Sequence, residues 1–198
     1  MKAARDLNAL IGSRICHDLI SPLGAIGNGV ELMTMTGAAQ TPEMALISDS
    51  VDSANARIRF FRIAFGAAPE DAQVVRGEIL SILGDMERLS RMRYRWQALD
   101  DPSRQHVKLV FLLLQCFETA MPRGGRVSVE AEAGRWRIFG EAEVLSIDPA
   151  LFSLLIEPDA EADIRAAQVH FPLAGAAARG IGRPLAMEIG ETALEACF

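Results

Sequence analysis

The chain's most unusual chemical setting is the stretch "CHDLISPLGAIGNG", Cys16 to Gly29. It puts a histidine, His17, beside an acidic residue, Asp18, and follows them with Pro22. A neutral imidazole is a competent nucleophile near neutral pH, because its ordinary pKa is about 6.5. A metal site is a poor reading of Cys16-His17-Asp18, since consecutive helical residues point about 100° apart and do not converge on one ion. Pro22 is the second oddity. Inside a helix a proline removes a backbone donor and crowds the carbonyl four residues back, here that of Asp18. Taken singly, an exposed histidine does nothing and a proline only bends a helix. Together they ask what a bend one turn past a histidine is for.

The surrounding sequence predicts how the histidine is held. Helix one is predicted over residues 3–36, with Cys16, Leu19, Leu23, Ile26, Val30 and Met33 spaced alternately three and four apart. Gly37 can stop it. Thr41 caps the next helix, with Pro42 in its first position and Glu43 in its first turn. Helix two, 42–65, repeats the seam in Ile47, Val51, Ala54, Ile58, Phe61 and Phe65. Two helices and a short loop make an antiparallel hairpin. One hairpin covers two such seams poorly, whereas two hairpins pack as a four-helix bundle, so a homodimer is expected. The alternative is that the hairpin packs on its own C-terminal domain.

On an ideal helix with His17 at 0°, Ser21 falls at roughly 40°, Gly24 at 340°, Asn28 at 20° and Glu31 at 320°, nearly opposite the seam. A strip of small or polar residues therefore runs below the histidine. Gly24, Gly27 and Gly29 each cost about 1 kcal/mol against alanine in a helix, and close approach of another surface is one reason to keep them.

Composition bounds the class. The chain has 198 residues, half of them hydrophobic, with a net charge of −6. Of its 20 basic and 26 acidic residues, six of each fall in residues 1–68, leaving 14 basic and 20 acidic for 69–198. That imbalance suggests two domains, 1–68 and 69–198, meeting near "GAAPEDAQ". The acidic balance argues against nucleic acid as the main partner. The longest apolar run, "LVFLLL", is far too short for a membrane span. No secretory signal is read at the start, and three scattered cysteines fit a reducing cytoplasm, the expected location.

"HDLISPLGAI" resembles the phosphoacceptor motif of the dimerisation and histidine-phosphotransfer domain of sensor histidine kinases: His17, Asp18, Leu19, Pro22 and Leu23 match it. "ALIGSRICHDLISPLGAIGNGVELM" and "ETAMPRGGRVSVEA" resemble ChpT-type histidine phosphotransferases of alphaproteobacteria, most strongly in the first helix and loosely after about Gly134. The resemblance implies a dimeric bundle with His17 as phosphoacceptor and Asp18 in an orienting or acid–base role. Ile20, Ser21, Gly24, Asn28 and Glu31 would form the docking strip. The implied partners are the receiver domain of a hybrid kinase as donor and the receiver domains of response regulators as acceptors.

Residues 73–198 read as helix 74–90, strand 93–98, helix 103–120, strands near 126–132, 135–141 and 143–147, helices near 149–156 and 165–179, and a hairpin of 184–189 and 192–198. The expected fold class is α+β, helices layered on one antiparallel sheet, similar to the ATP-binding sandwich of a histidine kinase. Aligned on "PRGG", Leu112 and Cys116 stand where kinases carry asparagines that help hold Mg²⁺, which prefers oxygen ligands. "RGIGRP" is too weak to read as a phosphate loop. The nucleotide site is therefore expected to be lost, with no cofactor bound by this chain and Mg²⁺ held by the partner receiver. His106 and His170 are expected to be structural or surface residues. An active kinase with a divergent ATP site and a non-catalytic dimeric scaffold are the alternatives.

Overall fold

A computed structural model describes residues 7–35 and 41–198. The chain divides into two compact units, Met1–Ala67 and Ala68–Phe198. No described helix is long and apolar enough to cross a membrane.

The first unit is a hairpin of α1 (Leu7–Met35) and α2 (Pro42–Ala64). Gly12 approaches Phe65 and Gly27 approaches Val51, so the helices run antiparallel. Thr41 caps α2 as expected, its Oγ1 accepting from Met44 N at 3.3 Å, with Pro42 at the first position. The predicted stop at Gly37 lies outside the described residues. α1 continues through Pro22.

The heptad seam separates into two rows. Cys16 is buried, and Leu23 and Val30 are half-buried, while Leu19, Ile26 and Met33 are 45 %, 50 % and 47 % exposed. On α2, Val51 and Ile58 are buried, whereas Ile47 and Phe61 are 44 % and 36 % exposed. One row of each helix is spent on the hairpin, and the alternate row is open within this chain.

The second unit contains α3 (Arg76–Leu89), β1 (Met92–Trp96), α4 (Arg104–Ala120), β2 (Gly125–Glu132) and β3 (Arg135–Glu141). α5 (Pro149–Ile156), a 3₁₀ turn (Ala166–Gln168), α6 (His170–Gly180), β4 (Ala186–Ile189) and β5 (Ala193–Cys197) follow. The sheet order is β1-β2-β3-β5-β4. The middle of α4 is apolar on every side because it is buried on every side: Leu109 to Leu114 are at most 1 % exposed. Val127, Val129, Ile138, Leu194 and Ala196 supply the sheet's buried face.

Three readings from the sequence need correction. The sheet is mixed, because β1 pairs with β2 in parallel; the crossover through α4 requires that direction. Residues 143–147 form no strand. There the chain leaves β3, and Ser146 N donates to Ala120 O at 2.8 Å at the end of α4. The helix expected over 165–179 is a 3₁₀ turn followed by α6, with Pro172 in the first turn, where its missing N–H costs no helical bond.

Gly124 has φ +91°, and a Cβ there would lie 2.4 Å from the Arg91 carbonyl oxygen. Backbone cannot yield as a side-chain tip can. Gly124→Ala is expected to destabilise the second unit by about 3 kcal/mol, measured as a lowered urea midpoint.

His170 is 5 % exposed and joins α6 to α4. Thr119 Oγ1 donates to Gln115 O at 2.9 Å, so His170 Nε2, 3.2 Å away, is the donor to it and carries the proton. Burial lowers its pKa to about 4. The unfolded chain takes up a second ring proton below about pH 6.5 while the folded chain stays neutral until about pH 4. Stability is thus whole above that pH and falls as pH drops toward 4, by about 2–3 kcal/mol. Urea unfolding across this range should show that slope, and His170→Gln should remove that share of it.

Candidate functional site

The site is built on one face of α1. Cys16 is 6 % exposed and turned into the hairpin, which sets the rotation of its neighbours. His17, one position on, is exposed. Ser21, Asn28 and Glu31 are exposed below it, and Ile20 and Gly24 are half-buried. The predicted strip therefore shares one side of the helix. The side chain of Asp18 lies outside the described residues, and with it the question of whether it meets His17.

The glycines divide by role. A Cβ at Gly27 would meet Val51 Cγ1 at 3.4 Å, so this glycine serves the fit of α1 on α2. A Cβ at Gly24 or Gly29 meets nothing within 4 Å. No Cβ contact among the described residues accounts for these two. A groove of about 310 Å³ opens between the helices, lined by Leu23, Leu46, Ile47, Ser50 and Val51.

Leu112 and Cys116 are fully buried in α4, and burial pushes the Cys116 thiol well up. Neither turns a ligand atom to solvent. "RGIGRP" is the turn closing α6: Gly182 has φ +66°, its N–H donates to Arg179 O at 3.0 Å, and Arg183 N donates to Ala178 O at 2.9 Å. Its glycines serve a helix end. His106 is half-buried against Trp136 and Phe198, at ring centroids of 5.8 and 6.0 Å. Among the described residues no three His, Cys, Asp or Glu side chains are grouped to hold a metal.

Compared with known proteins, the chain is 36 % identical over 179 residues to the protein phosphotransferase ChpT of Brucella abortus (strain 2308). The match covers 86 % of this chain and 85 % of that protein. The chain belongs to the ChpT-type histidine phosphotransferases. The profile of the family described as "Histidine phosphotransferase C-terminal domain" matches residues 76–193 of this phosphotransferase, within the second unit. A solved structure described as "1.7 Angstrom Structure of a Bacterial Phosphotransferase" matches all of the phosphotransferase chain and 97 % of its own, at 30 % identity and a TM-score of 0.68. The mixed α+β fold is thus shared with a solved bacterial phosphotransferase of similar length.

Proposed function

We propose that His17 carries the phosphoryl group in a multistep relay. A receiver-domain aspartyl phosphate of a hybrid kinase meets the exposed imidazole. The unprotonated ring nitrogen bonds to phosphorus, the P–O bond to the donor aspartate breaks, and the carboxylate leaves with the bonding pair. The second ring nitrogen keeps its proton. In the next step an aspartate of a response-regulator receiver takes the phosphoryl group, and the imidazole leaves neutral. Such transfers need positioning and charge neutralisation more than covalent help from the surroundings. By family resemblance, the receiver's acidic pocket holds the Mg²⁺ that supplies the neutralisation.

The observation that carries this reading is the exposure of His17 above a strip flattened by Gly24. Ile20, Ser21, Asn28 and Glu31 would form the rest of the receiver's docking strip, with Asp18 in an orienting role. Two further parts belong to the proposal. The open rows of α1 and α2 are covered by a second copy, giving a dimeric four-helix bundle. The second unit is a kinase-like sandwich without a working nucleotide site, a reading supported by the burial of Leu112 and Cys116. Three free cysteines are in keeping with a cytoplasmic relay.

The test uses labelled phosphate on the full chain. The wild type should take label from a cognate phosphorylated receiver and none from ATP alone. Label taken from ATP alone would instead make it a kinase, and label from neither would leave the scaffold.

A further inference from the structure

The sheet face opposite the buried one carries charge in two unequal halves. Toward the β2–β3 turn, arginine is answered in register. Arg137 stands opposite Glu130, 3.6 Å away, and reaches Glu195 of β5 at 2.6 Å. At the other end the pairing of β1 with β2 sets Arg93 beside Arg126 and Arg95 beside Ser128. Arg126 has Glu141 at 3.2 Å. Arg93 donates only to the backbone carbonyls of Glu87 (3.3 Å) and Met92 (3.0 Å). Among the described residues, Arg91, Arg95 and Arg123 have no carboxylate partner. Two adjoining openings, of about 310 and 720 Å³, are lined between them by these five arginines, with Phe139 in the smaller one and Glu141 and Glu143 as their carboxylates.

Like charges placed opposite each other across strands destabilise a sheet. The cost is unexpected here, because residues 69–198 hold 20 acidic residues against 14 basic ones. Carboxylates are plentiful in this unit, yet only Glu141 and Glu143 line these openings beside the five arginines. We infer that the arginine end of the sheet docks an acidic surface of a partner protein. Guanidinium forks fit carboxylates two bonds at a time. A long polyanion such as nucleic acid would also run over Glu130, Glu132 and Glu143 of a chain with net charge −6. Strand addition is not the mode of docking. The Tyr94 N–H on β1 already donates to the Glu87 carboxylate, which closes that backbone group to an incoming strand.

Sequence shows only "RMRYR": Arg123 and Arg126 come from the connection after α4 and from β2, and the pairing of β1 with β2 brings them to Arg91, Arg93 and Arg95. The probe is a short fluorescein-labelled poly-glutamate peptide, followed by anisotropy with the full chain. Binding is expected, weakening as salt rises through about 0.1 M. Arg93→Glu/Arg95→Glu/Arg123→Glu should lower affinity about tenfold or more, and Arg93→Gln/Arg95→Gln/Arg123→Gln should lower it less. Arg88→Glu/Arg135→Glu/Arg165→Glu, of equal net charge, should leave it unchanged. Thermal melts of each variant separate lost binding from lost fold. No binding by the wild type, an equal loss in the equal-charge control, or tighter binding of a poly-thymidylate of the same length would overturn the inference. The peptide carries no phosphoryl group, so the result stands apart from the role proposed for His17.

Discussion

His17→Gln abolishes phosphoryl uptake from a phosphorylated receiver domain and leaves the fold intact. Glutamine keeps a polar side chain at this exposed position, so stability should change by less than about 1 kcal/mol. Transfer, in contrast, should fall by at least about 10³-fold, because an amide nitrogen has no free lone pair with which to attack phosphorus. Rapid-quench measurement of label on the chain checks the first quantity, and a thermal melt checks the second. Loss of label with an unchanged melt assigns the chemistry to the imidazole. Undiminished label in His17→Gln would move the phosphoacceptor elsewhere. A large drop in melting temperature would instead give His17 a structural role, and α1 would then have to be read again.

The hairpin was legible because its signals are local and redundant. Thr41, Pro42 and the three-four spacing each act within a few residues, and all specify the same helix. The phase of His17 was legible for the same reason: once Cys16 faces inward, a rotation of about 100° per residue fixes the rest. What spacing could not give was which half of each seam a single chain covers. Leu19 and Leu23 look equivalent in sequence, yet only the row containing Leu23 lies toward α2. The glycines show the same limit. Gly24 and Gly27 both read as close-approach positions, and only a partner atom, Val51 Cγ1, tells them apart. In the second unit the errors fall where long-range pairing decides. "EVLSI" has strand-like residues but no neighbouring strand at hand, and the direction of β1 depends on a crossover rather than on its own residues. The buried Leu112 and Cys116 were singled out by resemblance; their burial follows from the packing of α4 in the core of the second unit, of which the sequence shows only the apolar run "LVFLLL".

Ile26→Asp/Ile47→Asp should convert the proposed dimer to a monomer without unfolding the hairpin. Both side chains are nearly half exposed in the single chain, at 50 % and 44 %. Neither belongs to the row formed by Val51 and Ile58 that joins α1 to α2. In a four-helix bundle both would be covered, so the variant buries four uncompensated carboxylates per dimer. Each costs several kcal/mol in the absence of a partner. A dissociation constant raised by more than about 10³-fold is therefore expected, since each 1.4 kcal/mol is tenfold. Sedimentation velocity reads the mass, and circular dichroism checks that helix content is retained. A wild type that sediments as a monomer at micromolar concentration, or a double variant that remains dimeric, would refute the bundle. The outcome also bears on the site. The open seam rows and the His17 strip lie on different sides of α1, so a second copy can seal the seam and leave the histidine exposed. A monomeric variant that still accepts phosphoryl groups would mean that one hairpin carries the whole reacting surface.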